Sequence, residues 1–270
     1  STDAYESARK AVSDFIGSPD PAQVVFTRGT TTSINMVAHG WGMQHLGEGD
    51  RIIATEMEHH SNLVPWQMVA KRTGAQLDHM PVTDDYRLDI DAFEEMLDET
   101  VKIVTVTGMS NVLGTITPVA KLSELAHSVG ARLVVDAAQL VPHAPVDVAE
   151  IGADFVAFSS HKMLGPTGIG VLWGKMDALE EMEPFEGGGE MIADVTLEGA
   201  TWAGIPTRFE AGTPPIIEAV GLHAAVDYLS SIGMDEVFAH DLELTEIALN
   251  RLGDVPGLTI QGPTDLEDRG

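Results

Sequence analysis

The sequence predicts an α/β protein with a mostly parallel central sheet and helices on both faces. Short apolar runs alternate along the chain with longer stretches of helical periodicity, which is typical of strands joined by crossover helices. The short runs are almost continuously apolar, as expected of strands that are buried on both faces. The predicted strands are Val24–Phe26, Arg51–Ala54, Lys102–Thr107, Arg132–Val135, Asp154–Phe158 and Gly168–Trp173.

Helices are predicted between most of these strands and at both ends of the chain. The last two strands are joined by a loop too short for a crossover helix, and a parallel pair needs a dozen or more connecting residues. We therefore expect the sixth strand to run antiparallel to the fifth, or not to be its neighbour. The predicted helices are Asp3–Ile16, Thr31–Leu46, Leu63–Thr73, Ile90–Leu97, Val119–Val129, Ile216–Ser231 and Asp235–Leu252.

The charge balance disfavours some classes of partner. The 42 acidic residues outnumber the 15 basic residues, for a formal net charge of −27. Nucleic acids and anionic membranes require basic surfaces, so neither is expected as a partner. The acids are spread along the whole chain, which favours a surface adapted to high salt. The alternative is an acidic surface that recruits a basic partner.

Composition limits the location and the chemistry. No apolar run reaches the ~18 residues that a membrane span needs. The first residues show no basic and apolar signal pattern, so a cytoplasmic location is expected. The sequence contains no cysteine, which excludes disulfides and thiolate zinc sites within these residues.

Polar residues follow four of the predicted strands, where open parallel sheets bind their ligands. Thr30 and Thr31 open a helix after the first strand, and backbone N–H groups with hydroxyls there can hold an anion, although an ordinary helix cap fits as well. His59 and His60 follow the second strand. Adjacent side chains point apart, so a metal site is disfavoured, whereas one histidine can pack flat on an aromatic ligand.

The third and fourth segments add an acid and a lysine. Asp136 ends an apolar strand, where an acid is costly to bury unless it meets a cation or caps a helix. Lys162 lies between two apolar strands after Ser159 and His161, where a lysine can lose its proton and form a Schiff base. A phosphate cradle, a stacking histidine, an acid for a ring nitrogen and a Schiff-base lysine are together what pyridoxal 5′-phosphate (PLP) requires.

Seven segments closely resemble the group II (Suf-type) cysteine desulfurases, which belong to the class V aminotransferase family of fold-type I PLP-dependent enzymes. They extend over nearly the whole chain in the order of that family. The Ser-Ser-His-Lys, Gly-Pro-Thr-Gly-Ile-Gly and Arg-Phe-Glu-Ala-Gly-Thr-Pro motifs are the most specific. The segments are Phe26–Thr31, Glu56–Trp66, Ser110–Thr115, Val135–Gln139, Ser159–Lys162, Gly165–Gly170 and Arg208–Pro214.

The resemblance implies a role for each matched residue. Lys162 would carry PLP and move protons, Asp136 would pair with the pyridine nitrogen, and His59 would stack on the ring. The remaining roles are contacts to the ring hydroxyl from Asn111 and Gln139, contacts to the phosphate from Thr30, Thr31, Ser159 and His161, and contacts to the phosphate of a neighbouring subunit from Gly212 and Thr213.

The resemblance also implies a domain division and a homodimer. Residues 1–232 would form the large PLP-binding domain, without an N-terminal segment that the family has. Residues 233–270 would form a linking helix and the start of a small C-terminal domain, with Val255–Ile260 as its first strand. The cysteine that accepts sulfur and the arginine that binds the substrate carboxylate would then lie beyond Gly270.

The implied reaction converts L-cysteine to L-alanine and passes sulfur as a persulfide to iron–sulfur cluster assembly. The implied protein partner is a Suf-type sulfur acceptor. One alternative is a selenocysteine lyase or another β-elimination enzyme of class V. An alternative of a different class is a PLP-fold scaffold without turnover. A cysteine in a downstream loop would favour the desulfurase over both.

Overall fold

The computed structural model describes residues 2–270, which form a seven-stranded sheet and a separate two-stranded hairpin. All six predicted strands are present, and three more lie outside the prediction. The strands are β1 (Val24–Thr27), β2 (Arg51–Thr55), β3 (Gln76–Met80), β4 (Val101–Thr107), β5 (Arg132–Asp136), β6 (Phe155–Ser159), β7 (Gly170–Gly174), β8 (Ile192–Val195) and β9 (Ala200–Trp202).

The helices agree with the predicted stretches, and further short ones are additional. The predicted helix Thr31–Leu46 is interrupted by a π-helical turn at Ala38–Gly42. The α-helices are α1 (Thr2–Phe15), α2 (Thr30–Val37), α3 (Met43–His45), α4 (Val64–Thr73), α5 (Ile90–Met96), α6 (Val119–Ser128), α7 (Leu140–His143), α8 (Val148–Ile151), α9 (Met176–Glu180), α10 (Ile216–Ile232) and α11 (Met234–Gly253).

The large sheet has the strand order β1-β7-β6-β5-β4-β2-β3. Neighbours from β6 through β3 are parallel, whereas β7 is antiparallel to both β6 and β1. This confirms the mostly parallel sheet and the antiparallel sixth predicted strand. Because β7 alone is reversed, the carboxyl ends of the other six strands lie at one edge.

Both faces of the large sheet are buried, as the apolar strands predicted. Ile52 and Ile53 are adjacent in β2 but belong to two different core clusters, since successive strand side chains point to opposite faces. The cluster around Ile52 includes side chains of α2 and α4. The cluster around Ile53 includes side chains of α1, α6 and α10.

The expected strand Val255–Ile260 is wrong. These residues form turns and irregular backbone, and the chain then packs against the large sheet's loops. Gly270 N donates to Gly114 O at 3.0 Å, and Arg87 forms ion pairs with Asp265 and Asp268 at 2.7 and 2.8 Å. The apolar and β-branched residues of Val255–Ile260 suit a strand, but a strand needs a hydrogen-bonded neighbour, and within residues 2–270 this segment pairs with none.

The helices of residues 2–270 include none that is both long enough and apolar enough to cross a membrane.

Candidate functional site

A cavity of about 250 Å³ opens at the carboxyl edge of the large sheet. It is lined by all nine residues for which a cofactor contact within one chain was predicted. These nine are Thr30, Thr31, His59, Asn111, Asp136, Gln139, Ser159, His161 and Lys162. Four further lining residues, Ser61, Thr107, Met109 and Ala138, were not predicted. The topology explains the convergence, because the segments that follow β1, β2, β4, β5 and β6 all meet at this edge.

The ends of β1 and β6 approach each other beside α2. Thr30 N donates to Ser159 Oγ at 2.8 Å, and the two side-chain hydroxyls are 2.7 Å apart. Gly170, which is paired with Ser159 in the sheet, lies against this contact. A Cβ atom at position 170 would be 2.4 Å from Gly29 Cα, so only glycine lets the two strand ends meet. The start of α2 and the hydroxyl groups of Thr30, Thr31 and Ser159 thus line one end of the cavity, where an anion is favoured.

His59 lines the cavity and is held by its own turn. Ser61 N donates to His59 Nδ1 at 3.1 Å, so a neutral ring carries its proton on Nε2. Ser61 Oγ also lies 2.7 Å from Thr31 Oγ1, which links the histidine turn to the start of α2. The exposed His59 ring is therefore oriented by its neighbours while it stays available to a ligand.

Asp136 is the most deeply buried acid of the cavity, with 3% of its surface exposed. Ala138 N donates to Oδ1 at 3.0 Å. Burial raises the pKa of Asp136, and the hydrogen bond from Ala138 and the nearby charges of Lys162 and His59 oppose that rise. A buried carboxylate of this kind is stabilised by a cationic partner in the cavity.

Lys162 ends a short 3₁₀ turn, Ser160–Lys162, that directly follows β6. Its side chain is half-buried and lines the cavity together with His161. Within residues 2–270, no hydrogen bond or salt bridge occupies its Nζ atom. A lysine with no fixed partner, close to a buried acid, is suited to covalent chemistry with a carbonyl compound.

The polar groups opposite this turn come from the segments after β4 and β5. Asn111 belongs to a tight turn in which Ser110 Oγ accepts from Leu113 N at 3.2 Å. Gln139 precedes the first turn of α7. Both side chains line the cavity, and each can donate and accept hydrogen bonds.

Gly212 and Thr213 lie apart from this cavity. Thr213 lines a second cavity of about 280 Å³, together with Arg28 and Glu210. The contact predicted for these two residues was with a second subunit, and it stays a prediction.

Sequence reasoning assigned no role to Glu58, which immediately precedes His59. Burial raises the pKa of Glu58 to about 8, against hydrogen bonds from Thr55, Asn62 and Thr107, and the charge of Asp136 raises it further. The sequence of this segment draws attention to His59 and His60 instead. An acid in a polar loop carries no periodic signal that would reveal its hydrogen bonds to three separate segments.

The fold and the site define a class V aminotransferase-type protein, and the comparison with known families agrees. The family model for aminotransferase class-V matches residues 1–270, so the chain belongs to that family. This confirms the family resemblance carried by the sequence motifs.

Particular relatives are similar over nearly the whole chain. The chain is 52% identical to a probable cysteine desulfurase of Halalkalibacterium halodurans and 53% identical to a cysteine desulfurase of Haloferax volcanii. These matches cover 97% and 99% of this chain but 64% and 63% of the relatives, so the chain spans less than two thirds of their length.

A solved structure is also similar over nearly the whole chain. The cysteine desulfurase CsdA from Escherichia coli, determined in an S-sulfonic acid form, superimposes with a TM-score of 0.94 at 40% sequence identity. The match covers 98% of this chain and 67% of that protein. The fold-type I architecture expected from the sequence is therefore confirmed.

Proposed function

We propose that this chain is the cofactor-binding part of a PLP-dependent cysteine desulfurase. The enzyme would convert L-cysteine to L-alanine and pass the sulfur on as a persulfide. The observation that carries the proposal is the convergence of Lys162, Asp136 and His59 on one cavity. Relatives about half identical over nearly all of the chain are named cysteine desulfurases, which supports this choice of reaction.

The residues of the cavity fit PLP, the cofactor of the class V family. Asp136 is a buried acid whose negative charge would be stabilised by a cation, and the protonated pyridine nitrogen of PLP carries a positive charge. The hydroxyls of Thr30 and Ser159 lie together at the start of α2, where a phosphate would be held. Lys162 supplies an amine without a fixed partner, and the exposed ring of His59 supplies an aromatic surface.

Bound PLP would supply an electron sink for the negative charge that develops at the Cα atom of an amino acid. Lys162 would hold the cofactor and then move the proton at Cα, since its side chain lines the cavity. Asp136 would keep a proton on the ring nitrogen through a charge-assisted hydrogen bond. His59 would cover the ring and exclude water from one side.

The other lining residues would orient the cofactor. Asn111 and Gln139 would bind the ring hydroxyl. Thr30 and Thr31, together with Ser159 and His161, would bind the phosphate. All six residues line the cavity and each side chain carries a hydrogen-bond donor, which supports these roles.

Sulfur transfer needs a nucleophilic thiolate. The 270 residues contain no cysteine. In the proposed reaction the thiol is therefore supplied from outside these residues. The relatives extend over a further third of their length, which is where we propose to find both this cysteine and the arginine that binds the substrate carboxylate.

We further propose a cytoplasmic homodimer that serves a Suf-type acceptor of sulfur for iron–sulfur clusters. In the dimer Gly212 and Thr213 would complete the phosphate site of the partner subunit. The domain division at residue 232 belongs to the same proposal. Gly233 supports it, because this residue separates α10 from α11 with a φ of 93°.

The test is turnover of L-cysteine by the full-length protein that contains this chain. Alanine and sulfide should form in equal amounts in the presence of PLP and a thiol reductant. Turnover of L-selenocysteine without turnover of L-cysteine would instead support the lyase. Absence of turnover with either amino acid would support the scaffold.

A further inference from the structure

Glu58 is a partly buried acid beside the cavity that the proposed reaction does not use. Its Oε1 atom accepts hydrogen bonds from Thr55 Oγ1 at 2.6 Å and from Thr107 N at 2.8 Å. Its Oε2 atom accepts from Asn62 Nδ2 at 2.6 Å. The three donors belong to the end of β2, the end of β4 and the turn His60–Asn62. A single side chain therefore joins three segments that surround the cavity.

Trp66 fixes which atoms donate and which accept in the hydrogen bonds between Asn62 and Glu58. Trp66 Nε1, which can only donate, contacts Asn62 Oδ1 at 3.3 Å. Thr105 Oγ1 donates to the same oxygen at 2.6 Å. All three side chains are fully buried. The amide oxygen of Asn62 must face Trp66, and its amide nitrogen must therefore face Glu58.

The turn that Glu58 anchors carries two groups of the cavity. His59 and Ser61 lie between Glu58 and Asn62 in the sequence, and Ser61 Oγ lies 2.7 Å from Thr31 Oγ1. A shift of this turn would move the histidine ring and the start of α2 together.

We propose that Glu58 is a positioning residue of the cofactor site, because its carboxyl joins the ends of β2 and β4 to the turn that carries His59 and Ser61. The proposal rests on the assignment of the cavity to PLP. Glu58 is not among the residues that line the cavity, so it acts through the residues that it holds.

The hydrogen bonds around Glu58 can form whether its carboxyl group is ionised or protonated, because the Thr55 hydroxyl can either donate or accept. Thr107 N and Asn62 Nδ2 can only donate, whereas Thr55 Oγ1 can also accept. A protonated Glu58 would donate from Oε1 to Thr55 while the same oxygen still accepts from Thr107. Burial and the charge of Asp136 raise the pKa of Glu58 to about 8, which favours this protonated form at neutral pH. The negative charge beside the cavity then belongs to Asp136, and the nearby charge of Lys162 favours that ionised form.

A glutamine cannot replace this carboxyl group. An amide NH₂ group only donates, so in either orientation it would face Thr107 N or Asn62 Nδ2, which are also donors. The double variant Glu58→Gln/Asn62→Asp removes the conflict. The amide nitrogen of the introduced glutamine could then donate to the introduced carboxylate, which still accepts from Trp66 and Thr105. Every original hydrogen bond is thereby replaced by a complementary one.

The experiment compares PLP binding by the full-length protein, measured as the dissociation constant by quenching of tryptophan fluorescence. Glu58→Gln should weaken binding about tenfold or more, since it leaves a buried donor without an acceptor. The double variant should return to within about threefold of wild type, because the paired sites compensate. Glu56→Gln is the matched control, an exposed acid two residues earlier, and should bind as wild type does.

Three results would overturn the proposal. One is PLP binding by Glu58→Gln that equals the Glu56→Gln control. Another is a double variant no better than the single one, which would show that hydrogen-bond positioning is not the cause. If Glu58→Gln does not fold, the double variant decides alone, and its failure to bind is the third. Failure of the wild-type protein to bind PLP would instead contradict the cofactor assignment.

Discussion

At the scale of single residues, the site is built around a buried acid whose partner is a ligand. Asp136 is almost fully buried and takes one hydrogen bond from Ala138. Its raised pKa indicates that its charge is costly without a cation in the cavity. The same group should therefore destabilise the empty protein and stabilise the protein that holds PLP.

Asp136→Asn should separate these two effects. The amide oxygen can still accept from Ala138, but the side chain no longer carries a charge. We expect the melting temperature of the PLP-free protein to stay equal or rise. We expect PLP affinity to fall roughly 10- to 150-fold, which corresponds to a charge-assisted hydrogen bond of about 1.5–3 kcal/mol.

The control for Asp136→Asn is Asp147→Asn. Asp147 also accepts from a backbone N–H two residues later, Ala149 N at 2.8 Å, but is not among the residues that line the cavity. Calorimetry for the melting temperature and fluorescence titration for PLP would be run on both variants. Unchanged PLP affinity in Asp136→Asn would remove Asp136 from the cofactor site.

Several side chains of the cavity could be predicted because polar residues follow four apolar strands, a signal that is weak for each residue and strong for the set. Asp136 ends one apolar run and Lys162 lies shortly after another, where a charged side chain is costly to bury unless it has a partner. Asn111 and Gln139 needed the family resemblance as well. Neither strand ends nor the family resemblance indicated a role for Glu58. Its hydrogen-bond donors come from three segments that only the folded chain brings together.

At the scale of elements, prediction succeeded for the apolar strands, including β1 at one edge of the large sheet, and failed for the polar edge strand β3 and the exposed hairpin. β3 pairs with β2 alone, and its sequence, Gln-Leu-Asp-His-Met, is too polar to form an apolar run. The β8–β9 hairpin is mostly exposed, so burial leaves no pattern in its sequence. Polar edge strands and exposed strands depend on pairing partners that a search for apolar runs cannot identify.

Gly170 in β7 is a position where two neighbouring segments approach too closely for a larger residue. In Gly170→Ala the new Cβ would lie 2.4 Å from Gly29 Cα and 2.7 Å from Phe158 O, both backbone atoms. We expect a loss of about 1–3 kcal/mol in the free energy of unfolding, as for overpacked cores. PLP affinity should also fall, because Thr30 and Ser159 are forced apart.

Urea denaturation would measure this loss, with Gly204→Ala as the control. No heavy atom lies within 4 Å of a Cβ built at Gly204, so that variant should unfold as wild type does. Equal midpoints for Gly170→Ala and the control would show that the strand ends tolerate a wider spacing.

At the scale of the whole molecule, charge is the dominant feature. Arg87 and Arg132 each contact three acids, but 15 basic residues cannot neutralise 42 acidic ones. Salt weakens exposed ion pairs and also weakens repulsion between like charges. With a net charge of −27, the repulsion is the larger of the two effects.

We therefore expect the melting temperature to rise as KCl increases. The rise should be steepest at low salt, where the screening length falls from about 30 Å at 0.01 M to about 10 Å at 0.1 M. Differential scanning calorimetry across a KCl series would measure it. A flat or falling curve would argue against salt adaptation and in favour of a surface that recruits a basic partner.

The central claim is that Lys162 carries the cofactor, and chemical labelling tests it most directly. The full-length protein would be incubated with PLP, reduced with borohydride to fix the cofactor to its lysine, digested, and mapped by mass spectrometry. The pyridoxyl group should be found on Lys162, which lines the cavity together with Asp136. A label on another lysine, with Lys162 unmodified, would contradict the account.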